Sequence, residues 1–117
     1  SSGNLWVAGK SLFFISNTNN LVRLKIKTGD VVWMTELPSF SEKRFGGSKK
    51  IIRHYGPIIA GNQIVIASSD GFIRFYNPKT GEQITELKIK NGATTNPIVV
   101  DKTLYLITQD GNLRAFR

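Results

Sequence analysis

The sequence repeats itself, and the repeat limits the folds open to it. Displaced by 52 residues without a gap, Ala60–Ile84 (AGNQIVIASSDGFIRFYNPKTGEQI) aligns with Ala8–Val32 (AGKSLFFISNTNNLVRLKIKTGDVV), so that Gly61 falls on Gly9 and Gly81 on Gly29. Displaced by 40 residues the other way, Gly61–Asn77 aligns with Asp101–Arg117, which brings Asp70-Gly71 onto Asp110-Gly111 and Ile73 onto Leu113. Each copy strings short apolar runs between turn glycines at fixed offsets. A period near 40 residues with several short strands per copy is the signature of a propeller or related radial array.

Within the first copy the strands read as LWVA, SLFFIS, LVRLKI and VVWMTEL, with turns at Gly9-Lys10, Asn17–Asn20 and Lys27–Asp30. The second copy reads as HYGPIIA, QIVIAS, FIRFYN and QITELKI, turning at Gly61-Asn62, Asp70-Gly71 and Pro78–Gly81; the third supplies TTNPIVV, TLYLIT and NLRAFR and no fourth strand. QIVIAS, TLYLIT and SLFFIS are almost continuously apolar, as a sheet covered on both faces requires. QITELKI loosens into alternation, as an outermost strand near solvent does. Trp33 shares a face with Val31, Thr35 and Leu37, which predicts an indole packed between blades.

The expected fold is therefore all-β, a propeller fragment of four-stranded antiparallel blades, about two and three-quarter blades in all. It divides into a blade over residues 1–37, a basic insertion over 38–57, a blade over 54–90 and an incomplete last blade over 93–117. Gly29, Trp33, Asp70, Gly71, Gly81, Asp110 and Gly111 are its structural markers. The last copy is expected to take its outer strand from elsewhere in a complete ring, leaving Leu113–Phe116 with a free edge that invites pairing.

The insertion is the one break in the period, longer by 52 − 40 = 12 residues than the next connection. It reads as a loop without secondary structure of its own, and such loops carry function more often than structure. Lys43, Arg44, Lys49, Lys50 and Arg53 stand there against Glu42 alone, about half of the chain's net +8. With Phe40, Phe45, Ile51, Ile52 and Tyr55 as apolar anchors, the segment is the candidate contact for an acidic partner.

Candidates for chemistry are sparse. Zero cysteines removes disulfides, thiol catalysis and thiolate metal sites, and a single histidine, His54, removes any two-histidine metal site. Of eight acids, Asp30, Asp70, Glu82, Asp101 and Asp110 fall on turns, where such side chains bond nearby amides. Asn17–Asn20 has no accompanying carboxylate for calcium and reads as a polar hairpin; Gly46–Lys50 lacks phosphate-loop spacing. Phe72–Tyr76 and Leu113–Arg117 interleave aromatic and basic residues as nucleic-acid platforms do, but the repeat puts them on a third strand facing neighbouring blades. No catalytic, cofactor or metal residue is expected, and no nucleic-acid partner. No apolar run approaches a membrane span, and Ser1–Lys10 has no signal-peptide character.

An apolar strand, Asp-Gly, a second apolar strand, x-P-K-T-G-E and a strand with Trp, carried here by SSDGFIRFYNPKTGE, KIKTGDVVW and QDGNLRAFR, resembles the PQQ-like β-propeller repeat. Within that superfamily the chain is most similar to the BamB-like lipoproteins of the outer-membrane β-barrel assembly machinery, through WVAGKSLFFIS, VVWMTELPSF and LITQDGNLRAFR. The resemblance implies a non-enzymatic periplasmic scaffold, lipid-anchored to the outer membrane, that binds the POTRA domains of BamA-like proteins. It also implies that this chain holds the last blades, without the anchor and the earlier blades through which the family meets its partner, so no family binding residue is carried over. Two other readings stay open: a fragment of a quinoprotein-type oxidoreductase, which needs acids and amides clustered at the ring centre, and a polyanion-binding module, which needs its cations on one surface.

Overall fold

The computed structural model describes residues 5–45, 48–89 and 91–116, with backbone alone over 40–45 and 48–50. The strands are β1 (Trp6–Ala8), β2 (Ser11–Ile15), β3 (Asn20–Lys25), β4 (Val31–Glu36), β5 (Phe40–Phe45), β6 (Ser48–Ile51), β7 (His54–Ala60), β8 (Gln63–Ser68), β9 (Phe72–Tyr76), β10 (Gln83–Lys88), β11 (Ile98–Val100), β12 (Thr103–Ile107) and β13 (Leu113–Phe116). No helix occurs among the described residues. The strands form antiparallel meanders in the order β1-β2-β3-β4, β7-β8-β9-β10 and β11-β12-β13, with β5-β6 as a separate pair. The first three sheets are successive propeller blades.

Turn chemistry makes the meanders. Between the second and third strands of each blade the same position takes positive φ: Gly71 at 95°, Gly111 at 81° and, in the first copy, Asn19 at 61°. Asn tolerates this region better than other side chains, so Asn17–Asn20 is the polar hairpin its composition suggests. Ser16 and Asn20 close it through the Ser16 amide and the Asn20 carbonyl at 2.8 Å.

The middle blade is dry on both sides. Along β8, Ile64 and Ile66 join Phe13, Ile15, Leu21, Leu37 and Tyr76 in one cluster. Val65 and Ala67 join Ile58, Ile73, Ile89, Leu104 and Leu106 in another. Side chains alternate across a strand, so each step along β8 contributes to a different inter-blade core. Each such buried aliphatic side chain contributes roughly 1.5–3 kcal/mol. Every residue of β10, by contrast, is exposed, which makes it the outer strand.

The first two blades are also locked by polar contacts to one turn. The Pro78 carbonyl accepts from Trp33 Nε1 and from Arg23 Nη1, each at 2.8 Å, and the Gly81 carbonyl accepts from Thr35 Oγ1 at 2.6 Å. Arg23 Nε also donates to Ser11 Oγ at 2.9 Å, and its guanidinium lies over the Phe13 ring. Trp33 thus packs between blades as its strand position predicts, while the parallel role of Arg23 was not visible in the sequence.

The insertion departs from expectation, because residues read as an unstructured loop form the β5-β6 ribbon. Its register opposes Phe40 to Ile51, Arg44 to Lys49 and Phe45 to Ser48. A two-stranded ribbon needs only backbone pairing, so it leaves no sustained apolar alternation to read. TTNPIVV is shorter than read, with strand only over Ile98–Val100; the Asn96 side chain instead accepts from the Gly56 amide at 2.9 Å.

Gly81 tests the blade contact directly. A Cβ there would stand 2.5 Å from Trp33 Cε3, whereas at its repeat partner Gly29 nothing lies within 4 Å, and φ is alike at +79° and +76°. Gly29→Ala carries only the backbone cost, about 1 kcal/mol. Gly81→Ala adds displacement of the indole and is expected to cost at least about 2 kcal/mol by urea unfolding; equal losses would show that Trp33 does not seat against this turn.

Candidate interaction surface

The base of the β5-β6 ribbon is tied to the middle blade. The Ile52 amide donates to the Ser39 carbonyl at 2.9 Å, while Arg53 and Ser69 exchange bonds: the Arg53 amide to Ser69 Oγ at 2.8 Å and the Ser69 amide to the Arg53 carbonyl at 2.9 Å. Leu37 and Ile52 are buried on either side of the ribbon. Ile52 is buried and Tyr55 half-buried, so they pack back on the blade rather than anchor a partner, and of the expected apolar anchors whose side chains are described only Ile51, 64% exposed, is open to one. Arg53 is exposed at the foot. The side chains of Lys43, Arg44, Lys49 and Lys50, like those of Phe40 and Phe45, lie outside the described residues, but the register sets Arg44 opposite Lys49.

His54 clamps this base. Its Nε2 lies 2.6 Å from the Pro38 carbonyl, which only accepts, so Nε2 carries the proton. Nδ1, 2.7 Å from Ser68 Oγ, then accepts from the hydroxyl. Burial pushes the imidazole below its usual range and the Arg74 charge adds to this, against the Pro38 carbonyl and Asp70, which favour the proton. His54 opens the run HYGPIIA in the sequence, and it begins β7.

Beside it lies a buried ion pair. Arg74 Nη1 and Nη2 grip the two Asp70 oxygens at 3.2 and 2.5 Å, with the side chains 6% and 8% exposed. The guanidinium also stacks on Phe72. Asp70 is a turn residue, as expected, but its partner was missed. Spacing offered a signal, since Asp110 and Arg114 repeat the pair 40 residues on, separated by 3.6 Å at a far more exposed site. Arg74 sits on an aromatic-basic strand yet is buried and paired, so it offers no cation to a phosphate. Tyr76, on the same face, has its phenol pushed up to about 12 by burial and stays neutral.

Of the remaining markers, Trp33 and Gly81 meet at the first joint, and Gly71, Gly111 and Gly29 hold turns at positive φ. Asp110 accepts from the Thr108 hydroxyl, the Asn112 amide at 3.2 Å and Asn91 Nδ2 at 2.7 Å. The Thr108 bond leads the causes that hold its carboxyl below the usual range. Among the described residues no three His, Asp or Glu side chains gather as a metal site.

A protein-family model described as the outer membrane protein assembly factor BamB matches residues 1–117. Proteins of that name from Shewanella oneidensis and Legionella pneumophila are 22% and 24% identical to the chain over 92% and 94% of its length, and the chain covers 34% and 26% of theirs. It therefore spans about a third or less of these relatives. Among solved structures, BamB from Moraxella catarrhalis superposes with a TM-score of 0.75 at 20% identity, over 95% of this chain and 30% of that one. The computationally designed Ika8 protein superposes at 0.65 with 16% identity, over 96% and 31%. These two likenesses establish the fold.

Acid should loosen the foot of the ribbon through His54. The unfolded chain takes up a proton near 6.5 and the folded chain only at lower pH, so the unfolded state binds more protons in between and stability falls as pH drops through about 6.5. The thermal midpoint is expected to decline there in the parent and to decline less in His54→Gln. The depressed Asp110 carboxyl acts in a separate window, its contribution being lost as pH falls below 3.8. Identical midpoint profiles near pH 6.5 would contradict the clamp.

Proposed function

This chain belongs to the family of the outer membrane protein assembly factor BamB, and we propose on that premise that it serves as a non-enzymatic interaction scaffold in outer-membrane β-barrel assembly. The observation that carries this reading is the match of the family model over the whole sequence. Residue chemistry points the same way, because Asp30, Asp70, Glu82, Asp101 and Asp110 sit in turns, Asp70 and Asp110 in ion pairs as well, while the departure from the repeat is a basic ribbon. The place of action that follows is the periplasmic face of the outer membrane.

The partner proposed is an acidic surface of the assembly machinery, with POTRA domains of a BamA-like protein as the first candidate. Lys43, Arg44, Lys49, Lys50 and Arg53 would supply the contact, giving the segment an excess of +4 over Glu42. Like charges directly opposite each other destabilise a strand pair, so the Arg44–Lys49 register favours an anionic group laid across it. The same observation supports a general polyanion as a second reading. The anchored foot keeps the ribbon from spending binding energy on ordering its base.

Replacing those five basic residues by Gln in the full-length protein should weaken binding to isolated POTRA domains at least about tenfold at low salt and flatten the salt dependence. Unchanged affinity and slope would remove the ribbon from the interface. Equal binding of the parent protein to heparin and to POTRA domains would favour the polyanion reading.

A further inference from the structure

The joint between the first two blades holds a guanidinium without an acid. Arg23 donates from Nε to Ser11 Oγ at 2.9 Å and from Nη1 to the Pro78 carbonyl at 2.8 Å, and it lies over the Phe13 ring at 5.6 Å from the centroid. All three partners are neutral, whereas Arg74 and Arg114 each meet an Asp. A guanidinium carries five N–H donors; two are placed here, and the other three have no partner among the described residues. The repeat does not require a cation at this position either, since Phe75 occupies it 52 residues on.

Arg23 lines a pocket of about 510 Å³ between these two blades, each of them a complete four-stranded sheet. The volume falls in the range of small-ligand sites. Ala8, Phe13 and Ile59 give it an apolar wall, and Lys79 adds a second cation. Asp30 and Glu82 stand in the adjoining turns, but no acid lines the pocket. Its acceptors are largely engaged: the Pro78 carbonyl receives Trp33 as well as Arg23, Ser11 Oγ receives Arg23, and Asn77 Oδ1 receives the Lys79 amide at 2.8 Å. Donors remain on Arg23, Lys79 and the Asn77 side chain, and Asn62 completes the polar side with an amide that can donate or accept. Asn62 joins β7 to β8 at the end of those strands away from His54 and Ser68, so the pocket opens away from the β5-β6 ribbon.

We propose that this pocket binds an organic carboxylate carried on a short apolar stem. The planar fork of a guanidinium matches a carboxylate with paired, charge-assisted hydrogen bonds, and such a pair supplies the anion that Arg23 lacks. Lys79 adds attraction beside it, while the stem rests on Phe13 and Ile59. Two sources share this chemistry, a Glu side chain of a partner protein and a free short-chain acid. The ribbon takes no part, so the site stands or falls separately from the contact proposed above.

Titrating butyrate and N-acetylglutamate amide into the isotope-labelled full-length protein at low salt tests this by nuclear magnetic resonance. The Arg23 Nε and the Asn62, Asn77 and Lys79 amide signals should shift together and saturate at about millimolar ligand. Acetate, two methylenes shorter than butyrate, should bind at least about threefold more weakly. Tighter binding of the blocked glutamate assigns the site to a protein side chain, and tighter binding of butyrate to a free acid; both support the carboxylate site. Arg23→Gln should abolish saturation. Should that variant unfold by circular dichroism, Lys79→Gln and Asn62→Gly carry the test, the first altering a side chain without an ion pair and the second suited to the positive φ of 62°. Lys79→Gln should weaken binding about threefold, and Asn62→Gly should weaken it measurably. Shifts that never saturate and spread over the surface lysines, acetate binding as tightly as butyrate, or variants that bind as the parent does would overturn the proposal.

Discussion

A β-sheet whose side chains are apolar on both faces is stable only when both faces are covered, and the middle blade is such a sheet. With Ile64 and Ile66 on one side of β8 and Val65 and Ala67 on the other, all nearly inaccessible to solvent, neither flanking blade is dispensable to it. The repeat follows from this requirement: the same pattern copied along the chain gives each sheet a neighbour with a matching face. Polar locks add direction. Trp33 and Arg23 both spend their donors on the Pro78 carbonyl, and this pins the angle between sheets that apolar contact alone would leave loose.

The polar interior obeys a different rule. A buried guanidinium is tolerated because Asp70 satisfies it with two hydrogen bonds and Phe72 supports its plane; removing one partner of such a pair costs about 3–5 kcal/mol, since it strands a charge. His54 belongs to the same end of the blade and stays neutral there, with one nitrogen committed to Ser68 and the other to Pro38. The basic ribbon therefore rises from a foot whose hydrogen bonds are nearly all assigned.

Much of the architecture was legible because glycine, proline and alternating apolar residues act locally. Asp70-Gly71, Asp110-Gly111 and Pro78–Gly81 announce turns by their own backbone preferences, and QIVIAS announces a doubly covered strand by composition. What escaped depends on groups distant in sequence. Nothing around Arg23 points to a carbonyl 55 residues away, and Arg74 resembles a surface cation until its partner Asp70 in the preceding turn is known. The β5-β6 ribbon escaped for another reason, since a strand pair without a sustained apolar face has no period to detect. The contact residues proposed for the ribbon rest on charge excess and register alone.

Hydrogen exchange under native conditions tests the dependence of the fold on the middle blade most directly. If the blade is held from both sides, the β8 amides of Ile64–Ala67 exchange only through global unfolding, with the full sensitivity to denaturant, while those of Val99–Val100 and Leu113–Phe116 open earlier through local motions. Exchange of the β8 amides by a route as local and as insensitive to denaturant as that of β13 would contradict the account.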